Sequence, residues 1–155
     1  MKSTGLMIAL LVGLSACGVG CSDTRTYEVT VRNDTPEPVT IWLYKDGGPS
    51  EDGWQSPEDL AIESPKANEP IGGRVIGPNV VATAGPIKGT FDSDANAVLR
   101  AYRGAHSFNA LLAISGDSGD RIDTKLEPGE NSFLIKDRDQ RLAFYRVQEI
   151  PRTQP

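Results

Sequence analysis

The sequence predicts an all-β protein: an antiparallel β-sandwich of about seven to nine short strands, with one short helical turn near 56–62. Three observations point there. Apolar and polar residues alternate with a period of two in runs such as TYEVTVRN, residues 26–33, the pattern of a strand with one buried and one wet face. Clusters of Gly, Pro, Asp and Asn separate such runs along the body of the chain, as turns do between short strands. No long amphipathic helix lies between the runs, and parallel pairing would require such crossovers.

The chain opens with MKSTGLMIALLVGLSACGVGCS. Lys2 supplies a positive start, and Leu6 to Leu14 form an apolar run of the length of a secretory signal core. The run is shorter than the roughly 20 residues that a membrane-spanning helix needs. It ends Leu14-Ser15-Ala16-Cys17. These four residues resemble the lipobox of bacterial lipoproteins, in which the signal is cut before the Cys and the thiol and new amino group are acylated. That resemblance implies a signal peptide over 1–16, a lipidated tether over 17–25 and a lipid bilayer as partner through acylated Cys17. Two acyl chains hold a protein stably on a membrane. The alternative is an ordinary secretory signal with Cys17 incidental. In double-membraned bacteria, Gly18 after the acylated Cys, in place of Asp, implies the outer membrane, so the expected location is the cell envelope, at the outer membrane or periplasm, with the membrane face left open.

The body is expected to span 26–148. After Thr26–Asn33 and the turn Asp34–Pro38, Val39–Lys45 (VTIWLYK) reads as a second strand. Val39, Ile41 and Leu43 lie on one face and Trp42 and Tyr44 on the other. Residues 46–72 carry four prolines and little alternation. Within them Ser56-Pro57-Glu58-Asp59 has a cap residue, a first-turn proline and first-turn acids, the start of a helical turn. Further strands are expected at Val80–Ala84, Ile87–Phe91, Ala97–Arg103, Phe108–Ile114, Arg121–Leu126, Ser132–Lys136 and Leu142–Val147, with a fraying tail over 149–155.

Leu126-Glu127-Pro128-Gly129 resembles the Leu-x-Pro-Gly hairpin of immunoglobulin- and transthyretin-like modules. The body is therefore similar to small bacterial lipoproteins with such a sandwich, a likeness that implies no particular activity. It lacks the Cys…Trp…Cys core of antibody-type domains.

Composition narrows the function. Without residues 1–16 the chain has 15 basic and 21 acidic residues, a net charge of −6. That argues against a nucleic-acid partner, which needs a basic face. Acylation of Cys17 leaves Cys21 as the single thiol, so no disulfide is expected. His106 is the one histidine, too few for a blue-copper or catalytic zinc site. No serine sits in a Gly-x-Ser-x-Gly turn, and Ser115–Asp120 reads as a loop tip. Glu58 and Asp59 are adjacent, hence about 100° apart on a helix and not a facing pair. Asp92, Asp94 and Asn96 have the spacing of half a calcium loop. Ala97 and Arg103 stand where such a loop needs Gly and Glu, so a turn is favoured over a weak calcium site near Asp92 and Asp94.

Trp42, Tyr44 and Trp54 form the candidate binding face, since aromatic rings stack on sugars and anchor interfaces. The opposing expectation is that 46–72 folds back over that face and buries it. The function expected is a membrane-anchored, non-catalytic binding or structural domain, with another envelope protein or a polysaccharide as partner and no cofactor or metal. A carbohydrate-binding module and a carboxylate-dependent hydrolase are the alternatives.

Overall fold

The computed structural model describes residues 22–48, 51, 53–63, 73–114 and 118–150. Eight strands make two four-stranded sheets. One has the order β4 (Val81–Phe91), β1 (Asp23–Asn33), β7 (Gly129–Arg138), β8 (Arg141–Val147). The other has the order β3 (Arg74–Ile76), β2 (Val39–Asp46), β5 (Asn96–Arg103), β6 (Arg121–Lys125). The protein is an all-β sandwich. One pair departs from a wholly antiparallel arrangement: β1 and β7, the two central strands of the first sheet, run parallel.

The alternation read in the sequence sets the core. Tyr27, Val29 and Val31 of β1, Val39, Ile41 and Leu43 of β2, Leu99 of β5, and Phe133 and Ile135 of β7 are all buried in one cluster between the sheets. Burial of such side chains contributes about 1.5–3 kcal/mol each in transfer terms. β5 is buried on both faces, so Ala97, Leu99 and Ala101 meet the core while Val98, Arg100 and Tyr102 are covered on the outside.

Several boundaries differ from expectation. Asp23–Arg25, expected in the tether, are already strand, paired with Phe91, Thr90 and Gly89. The two strands expected either side of Gly85-Pro86 are one, β4, which carries a bulge there: Glu28 alone faces Gly85 and Pro86. Gly85 has φ +111°, and a Cβ on it would lie 2.6 Å from the Tyr27 carbonyl oxygen, so no other residue fits. The turn signal was real, but the chain absorbs it without leaving the sheet. Phe108–Ile114 is not a strand. Phe108–Leu111 form a short helix, α2, because Phe108, Leu111 and Ile114 recur every three residues and all pack toward Trp42. β3 was not foreseen, being three residues between glycines. The Leu-x-Pro-Gly segment is not a hairpin, since it passes from β6 in one sheet to β7 in the other. Ile150, expected in the fraying tail, is buried.

Candidate functional site

The irregular segment enters the sandwich at Trp54. Its indole lies in the main core, with ring centroids 5.7 Å from Tyr27 and 5.4 Å from Phe91. Ser56 then starts α1 (Pro57–Glu63). Its hydroxyl accepts the Asp59 N–H at 3.1 Å, and the Asp59 carboxylate accepts from the Ser56 N–H and hydroxyl at 3.0 and 2.7 Å. This reciprocal cap fixes the helix start. α1 and α2 lie over the outer face of β2 and β5, where Leu60, Phe108 and Leu111 pack with Trp42 and Tyr102.

The candidate binding face is therefore not an open platform. Trp42 and Trp54 are each 3% exposed. Trp42 donates its indole N–H to the Gln55 carbonyl at 2.9 Å, and Trp54 donates its own to the Lys88 carbonyl at 2.9 Å. The two tryptophans also belong to different clusters, Trp54 inside the sandwich and Trp42 outside it. Folding back of the segment was foreseen; the descent of Trp54 into the inter-sheet core was not. Both indoles end equally buried; what the inner position adds is edge-on ring packing of Trp54 on Tyr27 and Phe91. Tyr44 alone of the three stays half-buried, at the edge of a groove.

That groove encloses about 750 Å³ and is lined mainly by polar groups, among them Tyr44, Glu51, Glu58, Asp59, Arg100 and Arg121. Its floor is the Arg100 guanidinium. Nε and Nη2 donate to the two oxygens of Asp123 at 2.6 and 3.1 Å, and Nη1 donates to both oxygens of Glu58 at 2.9 and 2.8 Å. Nη2 also donates to the Tyr44 hydroxyl at 3.1 Å, and the guanidinium lies 4.5 Å from the Tyr44 ring centroid. Burial works against the Arg100 charge, but the bonds to Asp123 and Tyr102 outweigh it and hold the group protonated beyond its ordinary range. Burial raises both the Tyr44 and Tyr102 phenols above their ordinary value. Sequence reasoning did not single out Arg100. An arginine in the alternating run NAVLRAYR at an outward position looks solvent-exposed until a helix covers it.

Three of the four acids that line the groove serve the fold; the fourth, Asp46, is exposed at the end of β2. Glu58 holds Arg100 and also accepts from Arg121 at 3.1 Å. Asp59 caps α1. Glu51 accepts the Thr90 N–H with both oxygens at 3.1 and 2.9 Å and pairs with Lys45 at 3.3 Å. Burial pushes the Glu51 carboxyl up, yet the Thr90 bonds and Lys45 bring it below its ordinary value. A general acid needs the opposite displacement.

The remaining candidates are dispersed. The His106 ring bonds the Arg103 carbonyl, and its backbone N–H donates to the Thr40 hydroxyl at 3.1 Å. Asp92 and Asp94 occupy the turn from β4 to β5 and Asn96 opens β5, its amide donating to the Asp94 carbonyl at 3.1 Å. Among the described residues no group of three or more His, Cys, Asp or Glu could hold a metal. Residues 115–117 of the serine-rich loop lie outside the described residues, as do Cys17, Cys21 and the whole expected signal. No helix among the described residues is long and apolar enough to cross a membrane. Comparison of the chain with protein-family models, with curated proteins and with solved structures finds no match.

Proposed function

We propose that this protein is a lipid-anchored envelope protein whose β-sandwich acts in binding or structure and not in catalysis. The observation that carries the reading is Leu14-Ser15-Ala16-Cys17 at the end of an apolar run, close before the first strand. Only five residues, 18–22, separate Cys17 from β1. Fully extended they reach about 16–18 Å. An acylated Cys17 would thus hold the β1 end of the sandwich, with the turns at 46–48, 92–95 and 126–128, against the bilayer. The opposite end, with the turns after β1 and between β7 and β8, would face outward. The commitment of Glu51, Glu58 and Asp59 to caps and ion pairs supports a non-catalytic role.

The test is Cys17→Ser in the full chain, with membrane fractionation and labelling by a fatty-acid analogue. The native chain is expected to carry label and sediment with membranes, and the variant to lose both. A variant that stays with the membrane at the mature size would overturn the anchor.

A further inference from the structure

Each sheet of the sandwich has two edges, and an open edge offers unpaired backbone groups to any passing strand. On one flank β6 and β8 lie against each other, and Arg146 of β8 donates to the Lys125 carbonyl of β6 at 3.1 Å. The two edge strands touch there without forming a ladder.

On the other flank runs β4, the longest edge strand. Its outward groups alternate with those that pair with β1. Toward its end they are occupied by side chains from the β2–α1 connection. The Thr90 N–H goes to Glu51, the Thr90 carbonyl accepts Lys45 at 3.0 Å, and the Lys88 carbonyl accepts Trp54. Pro86, at the bulge, has no N–H to offer. The first part of β4 is different. The Val80 carbonyl accepts the Asn33 N–H at 3.1 Å and so points to β1. Alternation then turns the groups of Val81 and Thr83 outward. The one partner shown on this stretch is the exposed Arg74 guanidinium, 3.4 Å from the Thr83 carbonyl.

Two features make this stretch more than a gap. Val75 and Val80, on either side of the turn from β3 to β4, are each 48% exposed, more than the other exposed large apolar side chains among the described residues. Arg74 and Lys88 flank the stretch, and neither has a carboxylate partner among the described residues. Arg32, Arg100, Arg103, Arg121 and Arg146 are ion-paired, while Arg25, Lys125 and Arg141, elsewhere on the sheets, share with Arg74 and Lys88 the lack of a salt bridge among the described residues. In a chain of net negative charge, this edge is thus bordered by exposed valines and by two cations with no carboxylate partner among the described residues, one of which, Arg74, reaches the Thr83 carbonyl.

We infer that the Val81–Thr83 edge receives an extended, acidic segment of another protein, which adds as a fifth strand beside β4. Backbone groups of Val81 and Thr83 pair with the incoming strand. Its apolar side chains cover Val75 and Val80, and its carboxylates take Arg74, which leaves the Thr83 carbonyl. Strand addition of this kind draws affinity from the main chain and specificity from alternate side chains. The inference deepens the binding role proposed above by naming the class of partner, and it does not depend on the anchor at Cys17.

The test uses the full chain in detergent micelles and a seven-residue peptide of alternating Val and Glu, followed by backbone amide shifts. Saturable shifts confined to Val80–Ala84 are expected. Thr83→Pro, which removes one outward N–H and leaves the β1 ladder its own, should abolish them. Arg74→Glu should weaken binding tenfold or more, and a peptide with Lys in place of Glu should bind at least tenfold more weakly. The inference is overturned by an absence of saturable shifts, by equal binding of the Lys peptide, or by unchanged binding to Thr83→Pro. It is also overturned by a peptide-free dimer that Thr83→Pro dissolves, since the occupant would then be a second copy. Fractionation of Cys17→Ser reports on the anchor separately.

Discussion

Arg100 shows how a single side chain organises the outer face of a sheet. It is 4% exposed, whereas the side chains of its partners Glu58 and Asp123 are 43% and 36% exposed. The two halves of the cluster therefore differ in what happens when one is removed. Without Asp123 the guanidinium stays buried with less compensation, and we expect Asp123→Ala to destabilise by about 3 kcal/mol, the lower end of the range for a broken buried pair. Arg100→Met frees acids that water can reach and keeps an apolar stem under α1, so its cost should be smaller, about 1–2 kcal/mol. Urea denaturation of the two variants decides the matter. The account fails if Arg100→Met proves the more damaging.

At the scale of elements, α1 is seven residues long, too short to persist without tertiary support. Three contacts supply it: the Ser56–Asp59 cap, the Glu58 bonds to Arg100 and Arg121, and Leu60 against the Trp42 cluster. Ser56→Ala removes the first, and about 1 kcal/mol of stability should go with it. The loss should be local. Amide exchange is expected to quicken in α1 and at the covered face of β2, while the β1–β7 pairing keeps its protection. Uniform acceleration across both sheets would show that α1 is not a separable unit. β4 carries the complementary lesson: its bulge at Gly85-Pro86 divides one edge strand into a stretch capped by side chains and a stretch on which, among the described residues, Arg74 alone is shown on an outward backbone group.

Across the whole molecule, ion pairs tie loops to strands and make stability depend on pH. The Arg32 side chain, bonded to Asp34 at 2.6 and 2.9 Å, holds that carboxyl below its ordinary value of 3.8. Glu51 also lies below its ordinary 4.5, through Thr90 and Lys45 and despite burial. Both groups bind protons more weakly folded than unfolded. Their stabilisation is therefore full above about pH 4.5 and is lost as the pH falls through their folded values. The urea midpoint should drop as the pH falls below about 4.5, and Asp34→Asn should remove part of that drop. A midpoint independent of pH in that acid range would contradict the assignment.

Local alternation was enough to identify β1, because a half-buried strand writes its two faces into a period of two; β2 and β5, covered on both faces, stood out as apolar-rich runs between turn signals, and Ser56-Pro57 announced α1 through the chemistry of its cap. The sequence by itself determined the sandwich class, the acidic balance of the chain and the Leu14–Cys17 signature on which the proposed anchor rests. It could not tell Phe108–Ile114 from a strand, since seven apolar-rich residues fit either period until Trp42 offers a surface. Nor could it show that Trp54 enters the core, that Arg100 is covered by α1, or that β1 and β7 run parallel. Those depend on which segments meet across dozens of residues, and only the tertiary structure decided them. The candidate face changed for the same reason: Trp42 and Trp54 are buried and Tyr44 alone stays half-exposed, while nothing in the local pattern marks the Val81–Thr83 edge proposed above.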